Sequence, residues 1–221
     1  MKKELKLKFP NAYRGVKKLF LAELIGVIAA LLLITSGILQ TAGVKNVELV
    51  TKSVAVALTS TIATIVLFLL QIIGLSQAGK DDKKIRFAMF LAILNILIAI
   101  GTAVILAFKI PNMGSITGIL EIVSGVAEIL IVYFVFNGIA DLAKKLGNAS
   151  MEKKGRNIAG VLVLLYLFSI AFSASSKFIS GTAEWIQTVV AVLAIIAALV
   201  ELAMYVVKFF YLAKATKMLK K

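Results

Sequence analysis

Apolar residues fall along the chain in six runs of about twenty, separated by short polar connections that are alternately basic and nearly uncharged. Runs of that length match the roughly 30 Å hydrocarbon core of a bilayer, because a helix rises about 1.5 Å per residue and satisfies its own backbone in lipid. The pattern predicts transmembrane helices at Leu19–Leu39, Ser53–Leu75, Phe87–Phe108, Ser115–Ala140, Ile158–Ser176 and Ile186–Val207. The first run is longer than the roughly 7 to 15 apolar residues of a secretory signal, and no convincing small-residue cleavage site follows it, so a retained helix is expected. The expected fold is all-α: a polytopic integral membrane bundle of six transmembrane helices in one domain over residues 1–221.

Composition agrees with that reading. Hydrophobic residues make up 61% of the 221 and charged residues only 16%, with a mean hydropathy of +1.00, far from ordinary soluble usage. The charge fixes an orientation. Of the 25 Lys and Arg, 21 lie in the first 18 residues, at Lys80–Arg86, at Lys144–Arg156, or from Lys208 onward. The other four, Lys45, Lys52, Lys109 and Lys177, fall in the alternate connections. Basic residues collect on the cytoplasmic side, so both termini and the two longer basic loops are expected there. Trp185, and Phe209 to Tyr211, suit the two interfacial belts. The net charge of +14 is then topological rather than a sign of nucleic acid, with attraction to anionic lipid headgroups as a by-product. Near the start, Pro10 stops any earlier helix and Asn11 can cap one that runs through Tyr13 and Lys18 into the first span.

A weak internal repeat is visible. Lys17 and Lys18, Lys83 and Lys84, and Lys153 and Lys154 each precede an odd-numbered span, and Ala78, Ala143 and Ala213 follow the even-numbered ones at similar spacing. Three parallel-repeated helical hairpins follow, at about 11–80, 81–145 and 153–221 behind a basic tail at 1–10. Mitochondrial carriers also use three two-helix hairpins, but their Pro-x-acid-x-x-base signature has no counterpart here, and neither Pro10 nor Pro111 lies inside a span. The S-components of vitamin transporters are similar in size and helix count. The ladder Ala22, Gly26, Ala30 that this chain offers serves close helix approach in any bundle, and no family is assigned.

With neither His nor Cys, the chain has no imidazole base, thiolate or disulfide, and lacks the usual zinc, haem and iron–sulfur ligands. It has no glycine-rich phosphate loop and no Gly-x-Ser-x-Gly elbow. No enzyme activity, cofactor or metal is expected. A sequon at Asn148–Ser150 falls in a cytoplasmic connection, where it should stay unmodified.

Two acids stand out in the fourth span. Glu121 and Glu128 are seven residues apart and share one helix face with Gly118 and Gly125. Glu128 lies near mid-depth, where a charged side chain costs roughly 2.5 to 3.5 kcal/mol on translocon scales, so that face should be buried, wet or protonated. Gly114 and Gly118 would let a neighbouring backbone approach. Glu201, Asn95, Gln71 and Glu23 are the other intramembrane polar groups of note. Hydroxyls come from Thr59, Ser60, Thr61 and Thr64 on the second span and Ser169, Ser173 and Ser176 on the fifth. No basic residue sits deep in a span. Lys208, seven residues after Glu201 on the same face, is the nearest candidate to pair with an acid, but it can snorkel to the cytoplasmic surface instead.

Two roles fit this pattern: neutral acids acting as interhelical glue, or an acidic stripe that binds a proton, a cation or a basic ligand group. Glue needs only Asn, Gln or Ser, which cost less to bury, so Glu128 favours the second. The candidate ion or ligand site is Glu128, Glu121, Glu201 and Asn95, with Gly118, Gly125, Ala22, Gly26 and Ala30 as packing positions. A small transporter or channel component of a bacterial inner membrane is expected, the alternative being an accessory subunit that works in an oligomer or with a partner membrane protein.

Overall fold

The structure is a computed structural model describing residues 7–42, 47–108, 114–178 and 184–220. Six helices account for nearly all of them: α1 Pro10–Ala42, α2 Val47–Ala78, α3 Lys83–Ala107, α4 Gly114–Lys145, α5 Ala149–Phe178 and α6 Glu184–Leu219. The first five each carry a stretch long and apolar enough to cross a membrane. The sixth expected span lies on α6, where most side chains before Leu199 are outside the described residues. The protein is an all-helical membrane bundle.

The helices overrun the expected spans chiefly at their basic ends. α1 starts at Pro10 instead of Leu19, and α6 continues to Leu219, past Val207. These extensions are rich in Ala, Leu and Lys, good helix formers whose ammonium groups reach the headgroup layer. Pro10 occupies the first helical position, where its missing N–H costs nothing. Asn11 does not cap α1. It lies inside the first turn, and Asp81 from the α2–α3 connection does the capping, accepting from Ala12 N–H at 2.7 Å and from the Asn11 amide at 3.0 Å. Asp82 caps α3 through Lys84 N–H and Ile85 N–H, and Asn148 caps α5 through Met151 N–H. Beyond the end of α4 at Lys145, Gly147 takes a φ of 72° that allows Asn148 N–H to reach Ala143 O at 2.9 Å.

Each helix packs against its neighbours in the sequence, and α6 returns to α1, so the six stand in chain order around a ring. α4 also meets α6 across α5, where the Phe136 and Tyr211 rings lie 5.2 Å apart. The α1–α2 pair is the most intimate. A Cβ on Gly15 would strike Ala78 N and Gly74 O, so these backbones touch. Ser36 and Ser60 donate across the seam to Ser53 O and Ala29 O at 3.0 Å each. Lipid offers helices no hydrophobic gain on pairing, so small residues and such bonds provide the association. Within the third expected hairpin, α5 and α6 touch less than α5 touches α4 or α6 touches α1.

The core gathers at the basic end. Ala12, Val16 and Leu19 meet Leu75 and Ala78, Ile85 and Ala88, Phe136 and Ile139, Ala159 and Leu162, and Leu212 and Ala215. At this end Lys8 Nζ donates to Lys145 O at 2.9 Å, tying the start of the chain to the end of α4. The basic connections therefore lie together on one side of the bundle.

Candidate functional site

The core stripes of α3 and α4 continue outward from the packed end through polar and small residues. On α3 the buried positions Ile85, Ala88 and Ala92 are followed, at three- and four-residue steps, by Asn95, Ala99 and Thr102. On α4 the series Ile139, Phe136 and Val132 continues as Glu128, Gly125 and Glu121. Beyond Ala92 and Val132 the described residues of both series are half-buried or exposed, so the helices part. The gap is a groove of about 470 Å³ whose polar lining is Thr102, Glu121, Ser124 and Glu128.

At its inner end two helices supply one polar cluster. Ser124 Oγ donates to Asn95 Oδ1 at 2.5 Å, and Asn95 Nδ2 donates to Glu128 Oε1 at 3.5 Å. The Asn95 amide is thus oriented by a hydroxyl on one side and presents its N–H to the carboxylate on the other. Glu121 stands two turns outward on the same face of α4. Both acids are exposed. Gly125 faces α5, where a Cβ would come within 2.7 Å of Ile170 Cδ1, the yielding end of a side chain. Gly118 departs from its expected packing role, since a Cβ there would meet nothing within 4 Å. The reason is the same parting of the helices, which leaves that turn of α4 uncovered. Ala22 and Gly26 are buried in α1, Gly26 beneath the Tyr205 ring, and Ala30 is half-buried.

A second cluster faces the core between α1, α5 and α6. Lys208 does not snorkel. Its Nζ lies 3.0 Å from Glu23 Oε2, 3.5 Å from the Tyr166 hydroxyl and 4.3 Å from the centre of the Tyr205 ring. Both charged side chains are under a tenth exposed. The acid beside it is not Glu201 on its own helix but Glu23, because the ring brings α1 alongside α6. The acid and the ring face together make an inward position cheaper than the climb to the surface.

Glu201 sits on α6 seven residues before Lys208, but its side chain, like those of Ser173, Ser176 and Trp185, lies outside the described residues. Thr59, Thr61 and Thr64 donate to the carbonyls four residues back, so these hydroxyls serve their own helix. Sequence reasoning missed Ser124, Tyr166 and Tyr205. Ser124 alone left a readable sign, lying one turn before Glu128 on the same face.

No protein-family model matches this sequence, and neither a curated protein nor a solved structure matches it.

Proposed function

We propose that this membrane protein is a small transporter or channel component that takes a proton, a cation or a basic solute group at Asn95, Ser124 and Glu128. The observation that carries the reading is their convergence, from two helices, at the inner end of an open groove above a packed apolar core. A carboxylate with a preoriented amide beside it can hold a proton or give oxygen contacts to a cation, and Ser124 keeps that amide from turning. Glu121 would be a first contact further out. Lys208, already matched by Glu23, contributes no excess positive charge against an arriving cation. No catalytic role is proposed, and the basic side is assigned to the cytoplasm of a bacterial inner membrane.

Purified protein in liposomes should then move protons, a monovalent cation or a basic amine down an imposed gradient, and Glu128→Gln should abolish the flux. Transport by Glu128→Gln at the wild-type rate would reject the site. Exposure of the groove favours a second reading, in which it receives a helix of a second copy or of another membrane subunit. That reading expects Glu128→Gln to leave no flux to lose but to weaken an assembly seen by native mass spectrometry.

A further inference from the structure

The basic end carries a cleft of about 390 Å³ between the α2–α3 turn and the end of α4, lined by Lys80, Lys83, Lys84, Arg86 and Lys145 with Asp81, Asp82 and Asp141. Each carboxylate is engaged by other groups. Asp81 caps α1, Asp82 caps α3, and Asp141 takes Lys84 Nζ at 2.6 Å and Arg156 at 3.0 Å. The Arg86 guanidinium donates to Gly79 O at 3.0 Å, which fixes it at the rim. Exposed Lys80, Lys83 and Lys145 then give the cleft a positive excess. One turn along α3 toward the membrane lies exposed Phe87, edge-on to Phe134 of α4 at 4.9 Å, with exposed Phe90 and Tyr133 nearby in sequence.

We infer that this cleft is a binding site for one anionic phospholipid of the cytoplasmic leaflet, its phosphate among Lys80, Lys83 and Lys145 and an acyl chain along Phe87 and Phe134. A free phosphate would use the cations but not the aromatic ridge, and the juxtaposition of the two selects the lipid. The site is distinct from the α3–α4 groove and does not depend on its function.

The test uses the full chain in nanodiscs of phosphatidylcholine containing spin-labelled phosphatidylglycerol, reading the immobilised fraction. Lys80→Gln, Lys83→Gln and Lys145→Gln together should weaken retention about tenfold or more, given the roughly 1 kcal/mol each basic residue contributes near an anionic surface. Lys153→Gln, Lys154→Gln and Lys214→Gln remove as much charge from other exposed positions and should change retention little. Lys83→Gln alone should give the same ordering on a smaller scale, so the test stands even if the triple variant folds poorly. Equal losses in the two triple variants would reduce the effect to general surface charge and overturn the site. Displacement of the labelled lipid by inorganic phosphate would also overturn it, assigning the cleft to free phosphate, as would equal retention of labelled phosphatidylcholine.

Discussion

Lys208 and Glu23 decide how a charged pair can be tolerated inside this bundle. Taking both ions out of water is expensive, and their attraction at 3.0 Å, with a tyrosine hydroxyl and a ring face beside the ammonium, offsets that cost. Removing one partner strands the other. Glu23→Gln or Lys208→Met alone should destabilise the protein by about 3 to 5 kcal/mol, whereas the double variant should recover most of the loss. Chemical unfolding in detergent micelles, followed by circular dichroism, measures this. Equal stability of the four proteins would mean that the pair is solvated. The sequence displayed both residues but not their meeting, since they are far apart in the chain and only the return of α6 to α1 brings them together. Asn95, Glu121 and Glu128 were legible for a simpler reason: each is polar inside an apolar run, whatever surrounds it.

At the scale of elements, the α1–α2 seam rests on small residues where backbones meet. Ser53, Ser60, Leu67 and Gly74 recur every seven residues on α2, all buried, a seam read off the sequence as easily as the Ala22 ladder once α1 is known to be the partner. Gly15 lies opposite Gly74. Gly15→Ala should cost about 1 to 3 kcal/mol, the usual penalty of overpacking, because the obstructing atoms are backbone and cannot rotate away. Gly118→Ala places the same methyl in open space and should be neutral or stabilise by roughly 0.5 to 1 kcal/mol through helix propensity. Thermal denaturation of the two variants side by side checks the contrast, and a large loss at Gly118 would reveal a neighbour this chain does not supply. The six helices were legible because hydrophobic length alone specifies a span. The cap on α1 was not, since Asp81 reaches it from about seventy residues away and no local pattern marks that meeting.

Among the described residues the bundle is packed at the basic end, while beyond Ala92 and Val132 α3 and α4 part, a difference that the hydropathy of the two spans does not encode. What separates the two regions is side-chain size and polarity on the inward stripes: Ile85, Phe136, Ile139 and Leu162 interlock, while Asn95, Gly125 and Glu128 do not fill the same space. A transporter built this way would load from the parted side and need the core to loosen before release. The chain has no native cysteine, so single cysteines report the state directly. At Thr102, Glu121 and Ser124 they should react with a membrane-impermeant maleimide added from the parted side, and at Ala92, Val132 and Leu162 they should stay protected. If groove and core positions react alike, the ring is not sealed and the proposed transport cycle loses its closed end. If both sets are protected, lipid or a second protein fills the groove and the accessory reading gains. Addition of the transported cation should slow labelling at Ser124 more than at Thr102, because only Ser124 belongs to the cluster that would close around it.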